Sequence, residues 1–270
     1  MIKLFRVIQR QGLALPVFTL VLASVICTGL IAYRVIASHK ISHAYLVWNL
    51  FLAWLPLVFA VLAVERFRSG TGFQPVRRGT DAPDNVEPSR NLLASPDRQD
   101  ACPTKILRDR KFLALAMAWL LFLPNASYIF TDVVHVLHAR WASFWVELML
   151  ILLCAMTGFL AGFLSLQVMH RLATRFWGRA AGWLFVGVVS GLTGFGVYLG
   201  RFVRLNSWDV VTSPIELFYC LRSAAWNVLT QRHDLKFFVL FSLFSLVGYV
   251  MLYALTLQRQ ERATMPGERS

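Results

Sequence analysis

The sequence is short of charge. Only 15% of its 270 residues are Asp, Glu, Lys or Arg, and 57% are hydrophobic. A soluble domain carries about 25% charge. Such a shortage excludes an ordinary water-soluble globule, which could not hide so much apolar surface. Acidic residues are the scarcer kind, 14 against 27 Lys and Arg, for a formal net charge of +13. Cysteine is sparse too. Cys27, Cys102, Cys154 and Cys220 form no CxxC pair and no zinc-ligand spacing, so no disulfide framework follows. Cys27 and Cys154 fall within apolar runs, where a small filler is the ordinary role. The sequence has no Walker loop, no GxSxG, no HExxH and no dinucleotide fingerprint.

What is present is apolar length. Six runs lie near Leu13–Ile36, Ala44–Val64, Phe112–Phe130, Trp145–Val168, Gly182–Phe202 and Phe237–Leu257. Each is about 18 to 25 residues, the length that carries a helix across a hydrocarbon core of about 30 Å. Helices are the default, because lipid offers no partner for free backbone N–H and C=O groups. The expected fold is therefore all-α, a polytopic integral membrane bundle of about six transmembrane helices. Lys3, Arg6 and Arg10 precede the first run. No small-x-small cleavage pattern closes it, so it reads as an uncleaved span.

The basic residues are unevenly spread. With a cytoplasmic N-terminus, 19 Lys and Arg fall inside and 8 outside. That bias puts both termini in the cytoplasm, although the 65–111 segment supplies 10 of the 19 and long loops orient weakly. Basic residues beside anionic lipid account for the charge without nucleic acid. The expected setting is a bacterial inner membrane, with the lipid bilayer as the main partner. Residues 1–64 read as a two-span hairpin and 112–257 as a four-span bundle. Between them, 65–111 reads as a cytoplasmic linker, disordered through its Pro, Gly, Ser and charge content. Residues 258–270 form a cytoplasmic tail.

Small residues suggest packing. Ala155, Gly158, Gly162 and Ser165 make a smooth stripe on the fourth span, and Gly187/Gly191 and Gly196/Gly200 make two GxxxG pairs on the fifth. Small residues let helix backbones approach closely in lipid, so these two spans are expected to pack together. Tyr33, Tyr45, Trp48, Trp141, Trp145, Trp177, Trp183, Tyr198 and Trp208 gather near span ends as an interfacial belt. Pro16 and Pro56 read as kinks, and Asn49 as an interhelical hydrogen bond. His39, His43, His170 and His233 read as solvated interfacial residues. In the 205–236 loop, Ile215, Phe218, Leu221, Ala225 and Val228 share a helical spacing, which predicts an amphipathic helix on the outer leaflet.

Two polar clusters break the apolar pattern. In LFLPNASYIFTDVVH, Asn125, Tyr128, Asp132 and His135 recur at i, i+3, i+7 and i+10, one face of a continuing helix. Pro124 denies the Leu120 carbonyl its hydrogen bond. In YLGRFVRLNSWDVVTSP, Arg201 and Arg204 are followed by Asn206, Trp208 and Asp209. Both clusters emerge on the same outer face, with Glu147 at a similar depth. Three chemistries fit. Asp132 or Asp209 could pair with Arg201 or Arg204 to pin helix ends, because intramembrane charges demand partners. The arginines could hold a phosphate or anionic head group, with Asp132 or His135 as acid or base. A divalent metal could sit among Asp132, His135 and Glu147, although the arginines oppose it. No cofactor beyond that metal is expected.

The paired elements LPNxxYxxTD-like and YLGRFxRxNSWD resemble the bacterial family known as domain of unknown function 1361, integral membrane proteins. The resemblance spans roughly residues 45–255, with 65–111 standing as an insertion. It implies a multi-span membrane protein and no activity. It marks Asn125, Tyr128, Asp132, Arg201, Asn206, Trp208 and Asp209 as motif positions. The leading expectation is a protein that binds a small anionic or lipid head-group ligand at the outer face, with transport as one outcome. The alternatives are a membrane-embedded enzyme acting on a lipid or envelope precursor, and an assembly protein whose polar clusters only lock helices.

Overall fold

The computed structural model describes residues 13–38, 44–71, 109–138, 141–203, 212 and 214–264. Among these there is no strand. Helices α1 (Ala14–Ser38) and α2 (Ala44–Thr71) form the first pair, and α3 (Arg110–Tyr128) continues into a 3₁₀ segment, Ile129–His138. A continuous apolar stretch follows, Trp141–Tyr198, broken at Gly178 where φ is 86° and ψ 174°. We treat its two parts as α4 (141–177) and α5 (179–198). A π-helical turn, Leu199–Val203, ends α5, and α6 (Pro214–Thr230) and α7 (Arg232–Thr264) complete the chain. The break divides the 60-residue apolar segment Phe144–Val203 into two spans, which with the four other long apolar helices makes six.

The exterior shows why lipid is the solvent. Phe18, Tyr33, Trp145, Leu184, Leu240 and Met251 are all exposed, on helices that are apolar on every face. A helix of that kind belongs in a membrane. Burial of apolar surface cannot drive such helices together, because lipid tails are as apolar as leucine. Close packing and specific polar contacts must do it.

Both are visible. Gly158 lies where a Cβ would come within 2.9 Å of Ile129 and 3.1 Å of Ala53, and a Cβ on Gly162 would overlap that of Ala126. The stripe on α4 thus packs against α3 and α2. α4 and α5 do share a core, Phe163 and Leu166 with Val186 and Val189, but the stripe expected to join them faces α3 and α2 instead. On α5, a Cβ at Gly187 or Gly191 would meet nothing within 4 Å among the described residues, whereas Gly196 and Gly200 abut Pro124 and Tyr128 of α3. Spacing alone reveals a smooth face but not its neighbour. Interhelical hydrogen bonds reinforce the seams: Trp119 Nε1 to Ser165 Oγ at 3.1 Å, and Trp54 Nε1 to Ser24 Oγ at 3.0 Å. Cys27 and Cys154 are buried and reduced, with Cys27 Sγ 3.8 Å from Thr157 Oγ1.

α4 and α5 form an antiparallel hairpin that reverses at Gly178. Gly182 of α5 lies over Thr174 and His170 of α4. The backbone at Gly178 occupies a region essentially reserved for glycine. Gly178→Ala should therefore cost about 1–3 kcal/mol, read as a lower Tm of the purified protein in detergent. An unchanged Tm would show that the hairpin tolerates another reversal.

Two local readings change. Pro16 falls in the first turn of α1, where a missing N–H costs nothing, so no kink is needed there. Pro56 does lie inside α2. His170 is not a solvated residue: it is 4% exposed, and its Nδ1 is 2.7 Å from the Tyr249 hydroxyl on α7. His233 is exposed as expected. His39 and His43 lie outside the described residues, as do 72–108, most of the expected linker. At its edges the chain is helical, α2 running to Thr71 and α3 starting at Arg110.

Asp109 caps α3 by accepting from the Lys111 N–H, and it also takes the Arg66 guanidinium of α2 at 2.8 Å. Partial desolvation pushes its pKa up, but the Lys111 N–H and Arg66 more than offset this and hold the carboxyl below its ordinary value. The contact therefore favours the fold at neutral pH and is lost only in acid, as pH falls through that lowered value.

Candidate functional site

The first polar cluster begins where α3 stops being an α-helix. After Tyr128 the backbone tightens to 3₁₀ geometry for the whole of Ile129–His138. Runs of this length are uncommon and mark strain or a hinge. Thr131 Oγ1 donates to the Tyr128 carbonyl at 2.7 Å, tying the transition down. The change alters the expected single face. Four residues at 3.0 per turn instead of 3.6 swing Asp132 by about 80° relative to a continuing helix. Asp132 and His135 still share one line of the 3₁₀ segment, three residues apart. Tyr128 and Asn125 remain on α3, both half-buried. The His135 side chain is outside the described residues.

Asp132 is 3% exposed and accepts a hydrogen bond from the Asn49 side-chain amide of α2 at 3.1 Å. Asn49 is thus the interhelical partner its mid-span position suggested. Tyr45, one turn before it, lies in the electrostatic surroundings of Asp132, Glu147 and Tyr128. Glu147, at the start of α4, binds Arg34 near the end of α1 at 2.8 Å, both partly buried. A carboxylate bonded to a guanidinium is a poor metal ligand. Among the described residues, no group of three or more His, Cys, Asp or Glu could hold a metal ion.

The second cluster begins where α5 loosens into the π turn. Arg201 sits in that turn, half-buried. Arg204, Asn206, Trp208 and Asp209 lie outside the described residues. The two clusters are joined by contact. A Cβ on Gly196 would collide with the Pro124 ring, and one on Gly200 would stand 3.0 Å from Tyr128 Cε2. Both pairs are four residues apart on each helix, so Pro124–Tyr128 and Gly196–Gly200 run side by side for a full turn. Each segment then leaves α-geometry at the same level, one by tightening and one by widening. π turns within helices are frequent at functional sites.

Two further elements close this end. Tyr198 donates to Asp234 of α7 at 2.7 Å, so Tyr198 serves as an internal tie and not only as a belt residue. α6 forms over Pro214–Thr230 and buries Ala224 and Val228 beside Tyr198, Leu199 and Val203. Its register differs from the expected stripe. Val228 is buried and Leu221 half-buried, but Ile215, Phe218 and Ala225 are exposed along with Tyr219 and Trp226. The apolar arc opposite Glu216, Ser223 and Asn227 is wide, so spacing could not choose which part of it is buried.

One end of the bundle thus gathers polar groups from six elements: Arg34 of α1, Tyr45 and Asn49 of α2, Asp132 of the 3₁₀ segment, Glu147 of α4, Arg201 of the π turn and Asp234 of α7. Sequence reasoning missed Arg34 and Asp234. Arg34 is a lone charge at the end of an apolar run, and that isolation was the available signal; Asp234 sits among Arg232, His233 and Lys236 and gave none.

No curated protein and no solved structure matches this chain. One family model does, described as Protein of unknown function (DUF1361), over residues 98–248. The match takes in both polar segments and their contact, and it leaves α1 and α2 outside. With more than half of its length matched, this multi-span membrane protein belongs to the DUF1361 family.

Proposed function

We propose that the polar end of the bundle binds a small anionic or lipid head-group ligand, with transport of that ligand as an extension of the same reading. The observation that supports it is the side-by-side packing of the two motif segments, which lays Tyr128 against Gly200, one residue before Arg201 of the π turn. A π turn splays the backbone, and a half-buried guanidinium on it offers a planar, permanently charged fork suited to a carboxylate or phosphate. The buried Asp132 is held on its Asn49 side, so it shapes the wall more readily than it meets an anion. We place the site in the bacterial inner membrane, at its outer face.

A second reading has its own observation. Asn49–Asp132 and Arg34–Glu147 are both satisfied pairs that bridge helices, as a helix-locking role requires. Arg201→Ala separates the two. Titration calorimetry with glycerol phosphate should show at least about a tenfold loss of affinity, the scale of one charge-assisted contact, with Tm unchanged. A lowered Tm with affinity intact would overturn the ligand reading and leave the lock.

A further inference from the structure

The opposite end of the bundle carries a second feature. There α2 ends at Thr71 and α3 begins at Asp109–Arg110. A cleft of about 430 Å³ opens there between α2, α4 and α7. Arg68, Arg171 and Arg175 line it, with Thr174, His170 and Tyr253. Arg171 and Arg175 are one turn apart on α4 and both exposed. Three guanidiniums drawn from two helices make a site for a phosphate, and arginine forks bind one bidentately.

The cleft does not stand alone. Next to it lies an apolar groove of about 340 Å³ between α1, α4 and α7, lined by Leu20, Leu160, Leu164 and Leu252 among others. The two share Tyr253. They also occupy consecutive turns of α4: Leu160, Leu164 and Gln167 line the groove, and His170, Arg171 and Arg175 line the cleft. At the junction Gln167 donates to Thr256 at 3.0 Å, a polar step between the apolar and basic parts. From Leu160 to Arg171 the helix rises about 16 Å, close to the ~15 Å half-thickness of a hydrocarbon core. The spacing is that of a lipid within one leaflet, with its phosphate on the arginines, its ester region at the polar step and an acyl chain in the groove.

We infer that this end of the bundle is a binding site for an anionic phospholipid, its phosphate held by Arg171 and Arg175 with Arg68, and one acyl chain lying between α1, α4 and α7. Basic pockets between membrane helices are a recurrent mode of anionic head-group recognition. The shape argues for a lipid over free phosphate, because a soluble ion would leave the groove unused. The site is separate from the motif end and does not depend on the function proposed there.

Native mass spectrometry of the full chain tests this, with phosphatidylglycerol and phosphatidylcholine offered in equal amounts. The wild type should retain phosphatidylglycerol preferentially. R171Q/R175Q should lower that retention by about tenfold or more, since two of the three guanidiniums on the phosphate are lost. Both positions are exposed, so the fold should survive, as size-exclusion chromatography would show. A second variant, Thr19→Trp, fills the groove from the exposed face of α1 and should weaken both lipids. R171Q/R175Q should lower retention by the same factor in an Arg201→Ala background, which keeps this site distinct from the first. Equal retention of the two lipids, or a preference that survives R171Q/R175Q, would overturn the proposal. Displacement of phosphatidylglycerol by inorganic phosphate, with no effect of Thr19→Trp, would also overturn it and leave a soluble-anion site.

Discussion

Gly196→Val should be among the most damaging single changes in the bundle. Even a bare Cβ at this position collides with the Pro124 ring, and valine adds two methyl groups. Overpacking a filled interior costs about 1–3 kcal/mol, and here neither side can yield easily. Pro124 is fixed by its ring, and Gly196 lies on a helix pinned by the Tyr198–Asp234 bond two residues later. The variant should show a clearly lower Tm in detergent. Gly187→Val supplies the control: a Cβ there would meet nothing within 4 Å among the described residues, so its stability should stay within the ±0.5 kcal/mol or so of an ordinary surface change. Combining Gly196→Ala with Pro124→Ala should restore part of the stability that Gly196→Ala alone removes. If it restores none, the two helices do not meet at this register, and the adjacency of the two polar clusters fails with it.

The second large effect belongs to Asp132. Replacing it by leucine leaves the Asn49 amide without its acceptor in the interior. An orphaned buried group costs about 1–3 kcal/mol. Asp132→Asn keeps a carbonyl that can accept the same bond, and hydrogen bonds between membrane helices average only about 0.6 kcal/mol. The asparagine variant should therefore lose much less. The double variant Asp132→Leu with Asn49→Leu should fall short of the sum of the singles, by roughly 0.5 kcal/mol or more for directly bonded side chains. Strict additivity in chemical unfolding would show that Asn49 and Asp132 do not act on each other. Glycerol phosphate titration of the asparagine variant adds the functional side, since retained stability with altered affinity would tie Asp132 to the ligand.

The spans were legible in the sequence because length and apolarity are local properties. α1 is expected at Leu13–Ile36 and found at Ala14–Ser38, and the hairpin reversal falls at Gly178, inside the expected loop. The meeting of the two polar clusters was legible as well, from direction of travel alone. Partners were not. Hydropathy says that Gly158 and Gly162 face something close, but nothing in it distinguishes α3 from α5. Arg34 and Glu147 are 113 residues apart, and no periodicity links them. The 3₁₀ segment was invisible for another reason. Ile129–His138 keeps an apolar pattern that suits a helix, and the tightening begins where Tyr128 and Ile129 lie against Gly200 and Gly158, contacts distant in sequence.

The apolar exterior has a thermal consequence. α7 joins the bundle largely through aromatic rings: Phe244 meets Phe159 at 4.7 Å and Phe130 at 5.1 Å, and Tyr249 meets Phe163 at 6.1 Å. When α7 separates within a bilayer, those rings pass from protein to hydrocarbon without meeting water. The large heat-capacity increment of soluble unfolding comes from hydrating apolar surface, and here little is hydrated. The enthalpy of separation should then vary little with temperature, and its free energy should fall almost linearly on heating. Cooling should only tighten the bundle, where a water-soluble protein of this size would pass through a maximum and weaken again.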